Sequence, residues 1–161
     1  MNFNQKFEPK GNKVIHGAGQ SLEQFKKYSD SVEEFKPAIY MTYAKIHKIQ
    51  QWIKKIRNEL KQFPDLMLQI GLKLLDADGK DQTSKVLAGK YDEDLDKFFR
   101  MIQKMKRSTF IRIGYEFDKK GKYDSDNFVE AWQYITDKFR KAKIENIATV
   151  WCACPFNGID P

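Results

Sequence analysis

The sequence predicts an α/β fold, the first part of a (β/α)8 barrel of the TIM type, with about five parallel strands and four main helices. Three observations lead there. Short apolar runs alternate with longer amphipathic ones along the 161 residues, the signature of β/α units. The stretches between strands are long enough for parallel crossovers. Polar residues also interrupt otherwise apolar runs, at His16, Thr42, Gln69 and Arg112. A parallel sheet covered on both faces is apolar on both, whereas in a barrel such residues point at the axis.

Taken in order, the first strand is expected over residues 13–17. Ser21-Leu-Glu-Gln24 has the form of a capping box, with the Ser oxygen and the Gln side chain serving helix-end amides. A short helix carrying Leu22, Phe25 and Tyr28 follows, then strand two over 37–43. Ile46, Ile49, Ile53, Ile56 and Leu60 recur at steps of three and four, one apolar helix stripe that Pro64 ends. Strand three spans 66–72, and a polar loop rich in Asp and Gly runs from Asp76 to about Lys90. Asp92, Glu93 and Asp94 put negative charge where a helix dipole favours it. That helix buries Leu95, Phe98, Phe99, Ile102 and Met105. Strand four spans 109–117. Asp124 is the N-cap of a helix burying Phe128, Ala131, Trp132, Ile135 and Phe139, and strand five spans 146–152.

Residues 1–161 are read as a single incomplete (β/α) barrel domain, long enough to bury a core. A composition 41% hydrophobic and 14% aromatic is that of a globular chain. The net charge of +7 raises the question of nucleic acid. Its placement answers otherwise. Lys104, Lys106 and Arg107, then Lys138, Arg140, Lys141 and Lys143, fall near helix C-termini, where cations complement the dipole. The basic stretch from Lys45 to Lys61 surrounds the solvent face of an amphipathic helix. No nucleic-acid partner is expected. No membrane partner is expected either, because no apolar run is long enough to span a bilayer. Residues 1–13 are polar without a signal-peptide hydrophobic region, so the chain reads as cytoplasmic or stripped of a leader. Cys152 and Cys154 are expected as free thiols, since their spacing strains a mutual disulfide and no further ligands stand at metal spacing. No metal or cofactor is implied.

Strand four carries the most chemistry. Strict alternation puts Ile111, Ile113, Tyr115 and Phe117 on one face and Phe110, Arg112, Gly114, Glu116 and Asp118 on the other. The second set would point into a barrel, near the C-terminal strand ends where such enzymes keep their sites.

Arg112-Ile-Gly-Tyr-Glu-Phe-Asp118, Tyr123, Phe128-x-x-Ala-Trp132 and Asn146-Ile-Ala-Thr-Val-Trp151 together resemble the acid/base region of glycosyl hydrolase family 26. These are mannanase-like enzymes of the clan of (β/α)8 retaining glycosidases. His16-Gly-Ala-Gly-Gln20 and Tyr40-Met-Thr-Tyr43 resemble the first strands of that group. The resemblance runs from about residue 13 to the end. It implies a carbohydrate substrate of mannan or β-glucan type and assigns Glu116 the general acid/base role, protonating the glycosidic oxygen and then activating water. Trp151 would be a sugar platform and Arg112 an orienting group. His16, Tyr40, Tyr115 and Asp118 complete the expected substrate contacts. Such relatives are commonly secreted.

The chain departs from that pattern in two ways. Tyr115 stands where the family usually has His before the acid/base Glu. The clan nucleophile closes strand seven, beyond the five strands read here. Asp118, about 6.6 Å along a strand from Glu116, approaches from the same side of a substrate, whereas the catalytic pair must flank the bond. Since about 250 residues close a barrel of this kind, the chain is expected to be a fragment or a reduced protein. Its unpaired edges then offer a route to self-association. Two other readings remain open at this level, a non-catalytic carbohydrate binder or relic and a doubly wound nucleotide-binding domain using Gly17-Ala-Gly19 as a phosphate loop.

Overall fold

Five strands pair in parallel, and their order in space is their order in the chain: β1 (Gly17–Gly19), β2 (Ile39–Lys45), β3 (Met67–Lys73), β4 (Thr109–Ile113) and β5 (Ile147–Val150). The structure is a computed structural model describing residues 14–154 together with Phe7 and Pro9. The strands alternate with five helices: α1 (Leu22–Ser31), α2 (Ile49–Leu60), α3 (Thr83–Leu87), α4 (Asp92–Met105) and α5 (Ser125–Lys141). This is the expected α/β architecture, a parallel sheet consistent with part of a barrel. A doubly wound sheet reverses its strand order at the ligand-binding switch point, and no reversal occurs among these five strands. Gly17-Ala-Gly19 is itself β1, paired with Ile39, Tyr40 and Met41, and is therefore not a phosphate loop.

The local signals explain the helices. Ser21 and Gln24 form the capping box at the start of α1. The Asp124 side chain accepts the Asn127 N–H at the start of α5. Ile49, Ile53, Ile56 and Leu60 are buried along α2, and Leu95, Phe98, Phe99 and Ile102 along α4. Met105 and Trp132 pack at the edge of the core. The loop expected from Asp76 to about Lys90 contains one extra turn of helix, α3, whose Thr83 and Val86 are buried.

One face of the sheet is covered by helices; among the described residues the other, the open face, carries no helix, and Phe7 lies edge-on against Phe110 there at 5.6 Å. In β4 the covered face takes Thr109, Ile111 and Ile113, all buried, while Phe110 and Arg112 are only half-buried. Register extends this division across the sheet. Met41, Gln69 and Phe110 form one row of the open face, and Tyr43, Gly71 and Arg112 the next.

That division corrects two of the expected inward polar residues. Thr42 lies on the covered face, buried, and accepts a hydrogen bond from the Trp52 indole at 3.4 Å. His16 precedes β1 on the covered side, its ring edge-on to Tyr28 of α1. Gln69 and Arg112 do occupy the open face. The strand limits also move. Residues 14–16 are not strand and Lys13 lies outside the described residues, so β1 begins at Gly17. Gly17 and Gly19 have the room they need only as glycines, since a Cβ there would meet Ile39 or Met41 at 2.8 and 2.5 Å.

Lys104, Lys138, Arg140 and Lys141 fall in the last turns of α4 and α5 as expected, but Lys138 and Arg107 are engaged with other elements. Lys138 in the last turns of α5 pairs with Asp92 and Asp96 of α4, both at 3.3 Å. Arg107 does not serve its own helix. Its guanidinium donates to the carbonyls of Leu60, Phe63 and Leu66, closing the C-terminal end of α2. Lys54, Arg57, Lys97, Arg100 and Lys104 line an outer groove of about 310 Å³ between α2 and α4.

Candidate functional site at the C-terminal edge of the sheet

Strand β4 ends four residues short of the expected limit. Its last ladder residue is Ile113; Gly114 then adopts φ 58° and Glu116 φ 52°, both left-handed. Glycine takes that conformation without penalty, and here it also has no alternative. A Cβ on Gly114 would lie 2.3 Å from Cε2 of Phe128. The turn breaks the alternation, so the face assignment of Tyr115 changes while that of Phe117 does not. Tyr115 swings to the open side, its ring centroid 5.4 Å from that of Tyr43. Phe117 turns toward α5 and stacks on Phe128 at 4.9 Å and 11°.

Glu116 stands on this turn rather than on a strand tip. Its N–H donates to the Cys152 carbonyl at 2.7 Å, tying the loop after β4 to the segment after β5. The carboxylate, 46% exposed, lies 3.6 Å from the Lys122 ammonium. Lys122 is 12% exposed, and its Nζ donates to the Tyr115 carbonyl at 2.6 Å. Burial lowers the Lys122 pKa, an effect that Glu116 opposes. A general acid calls for apolar or anionic surroundings, whereas the charge placed beside Glu116 is a cation.

Asp118 is not a second carboxylate beside Glu116. It is exposed and accepts the Cys154 N–H at 2.7 Å. Glu116 and Tyr115 line a mouth cavity of about 360 Å³ with Lys73, Lys119, Lys120 and Lys122. Asp118 lines a different cavity of about 270 Å³ with Phe117, Tyr123 and Phe128.

Arg112 holds the centre of the open face. Its guanidinium carbon lies 5.6 Å from the Tyr43 ring and 5.2 Å from the Tyr115 ring. Gly71, between them in register, makes the approach of the rings possible, because a Cβ there would meet Tyr43 at 2.8 Å and Tyr115 at 3.1 Å. The Arg112 head group donates to two sulfurs, Met41 Sδ at 3.2 Å and Cys152 Sγ at 3.9 Å. Its Nε is buried and without a hydrogen-bond partner among the described residues. Burial raises the Tyr115 pKa, with Tyr43 adding to the effect, so the phenol stays neutral and can donate.

Trp151 follows β5 and is 52% exposed. It packs 4.3 Å from Phe117 and 5.4 Å from Trp132, leaving part of the indole to solvent.

Two expected contacts fall elsewhere. Tyr40 is 0% exposed on the covered face, where its hydroxyl donates to Glu59 of α2 at 3.1 Å, so it does not reach the open face. His16 is directed at α1 and lies apart from the Arg112 row. Sequence reasoning in turn missed Tyr43, Lys122 and Cys152. Gly71, an isolated glycine inside an apolar strand, was the one local signal, because such a glycine marks a close approach. Nothing local marks Lys122, which reaches Glu116 only through the loop between β4 and α5.

Comparison of the chain with models of known protein families gives no match, and comparison with curated proteins gives none either.

Proposed function

We propose that the chain carries strands one to five of a glycoside-hydrolase-like barrel whose C-terminal edge binds a saccharide. Glu116 is the residue we assign as proton donor to a glycosidic oxygen of a β-linked polysaccharide. The observation that carries this reading is a half-exposed carboxylate sharing a cavity with Tyr115, whose ring lies 5.4 Å from that of Tyr43, at the C-terminal ends of parallel strands in barrel order. The motif from Arg112 to Asp118, similar to the acid/base region of family 26 glycosidases, supports the same assignment.

In this reading the saccharide lies over Tyr43 and Tyr115. Lys122 holds the Glu116 loop in place through the Tyr115 carbonyl and supplies a counter-charge when Glu116 is ionised. Glu116 gives its proton to the leaving oxygen and, as a carboxylate, takes one from the attacking water. Its partner in the pair is not among the residues that line the mouth cavity, where Glu116 is the one carboxylate beside four lysines. That lining favours a second reading, saccharide binding without turnover.

The deciding assay measures release of reducing ends from mannan and β-glucan by the full chain and by Glu116→Gln. The catalytic reading expects turnover that falls by a factor of about 100 or more in the variant. Turnover unchanged by the substitution removes Glu116 from the mechanism. Saccharide binding without turnover in either protein selects the binding reading.

A further inference from the structure

The most unusual group on the open face is the Arg112 guanidinium. An arginine carries five N–H donors and is charged at every accessible pH. Here the partners on hand are thioether and thiol sulfurs, which are weak acceptors, and the buried Nε has none among the described residues. A half-buried guanidinium without oxygen acceptors loses part of its hydration, and stacking between two tyrosine rings offsets only part of that cost. The rings hold the fork's plane while leaving its donors poorly satisfied. That is the geometry of a preorganised anion receptor, and the planar fork fits a carboxylate in bidentate fashion.

The surroundings favour an anion too. The mouth cavity next to Tyr115 carries Lys73, Lys119, Lys120 and Lys122 against the single carboxylate of Glu116. Lys122 lies 4.6 Å from the centroid of the Tyr115 ring, on which Arg112 also rests. A neutral mannan or glucan has no use for this field, whereas a charged chain is drawn into it.

We propose that Arg112 binds the carboxylate of a uronic-acid unit, so that the saccharide taken by this edge of the sheet is an acidic one. This rests on the saccharide reading above and specifies its substrate class. The sugar ring lies against Tyr43 and Tyr115, and its carboxylate accepts from the two terminal nitrogens of Arg112, since Nε is buried.

Calorimetric titration of the full chain with an oligogalacturonate, an oligomannuronate and mannotetraose tests this, using wild type, Arg112→Gln and Arg112→Lys. The expected result is a Kd at least about tenfold lower for a uronate than for the neutral sugar. Arg112→Gln erases that preference, whatever it does to the affinity for the neutral sugar, and Arg112→Lys keeps only part of it, having charge without the fork. Far-UV circular dichroism establishes that each variant is folded. In wild type, the Arg112 Nε–H resonance is followed by NMR during the same titration, and a shift with uronate but not with mannotetraose is expected. Equal binding of acidic and neutral sugars, or an unmoved Nε–H resonance, overturns this inference and leaves the saccharide reading in place. Binding of neither sugar overturns the saccharide reading and this inference with it.

Discussion

Gly114 decides where β4 stops and where Glu116 stands, and replacing it with alanine isolates what that turn is worth. Two costs are expected. An L-residue at φ 58° loses about 1–2 kcal/mol relative to the allowed regions. The new Cβ also lies 2.3 Å from Cε2 of Phe128, a ring packed against Phe117, Tyr123 and Trp151. Phe128 is 2% exposed and has little room to move, so overpacking adds about 1–3 kcal/mol. The total is about 2–5 kcal/mol. Gly79 provides the control, because it has φ 81° but nothing within 4 Å of the place a Cβ would take. Gly79→Ala therefore costs only the backbone part, about 1–2 kcal/mol. Urea denaturation followed by tryptophan fluorescence reads both, since Trp132 and Trp151 border the cluster. With a slope of roughly 2 kcal/mol/M, Gly114→Ala should lower the midpoint by about 1–2.5 M and Gly79→Ala by clearly less. Equal midpoints for the two variants would refute the collision with Phe128 and the account of why glycine stands there.

Tyr40→Phe removes the hydroxyl that donates to Glu59 and should destabilise by about 1–3 kcal/mol, read from the same denaturation curves. Saccharide affinity should not change, because the ring is buried under the helices; a change in affinity would return Tyr40 to the binding surface. At alkaline pH the protein should lose stability. Burial raises the pKa of Tyr40, Tyr115, Tyr123 and Tyr91, and the hydrogen bond to Asp92 raises that of Tyr134. Each of these phenols keeps its proton in the folded state above the ordinary tyrosine value of 10.0, so the folded protein binds more protons than the unfolded one. Their contribution is complete below about pH 10 and is lost as pH rises through the higher folded-state values. Stability measured across this range, with tyrosinate absorbance recorded in parallel, should fall as pH increases; a flat profile counts against the burial of these hydroxyls.

Much of the fold was legible because it is written in short-range pattern. The steps of three and four from Ile46 to Leu60 and the Ser21–Gln24 box involve neighbours in the chain, so they mark α2 and α1 without knowledge of the rest. The site was legible in part for the same reason. Arg112 sits in a five-residue strand whose alternation is clean, and its place on the open face follows from that.

Alternation sorts side chains into two sets, but it does not say which set meets the helices. In β2 the buried set is Tyr40, Thr42 and Ala44, no more apolar than Ile39, Met41 and Tyr43, which face the opening. Only pairing with β3 and the packing of Trp52 and Glu59 decide the matter, and those groups lie 10 and 19 residues away in sequence from their partners. The same holds for the end of β4. The sequence by itself determined that residues 109–118 carry a strand, a glycine and two carboxylates. That Gly114 bends away under Phe128, so that Glu116 meets Lys122 and Tyr115 meets Arg112, is a matter of three-dimensional packing. Left-handed backbone and the contact of two distant loops have no periodicity, and the tertiary structure alone decides them.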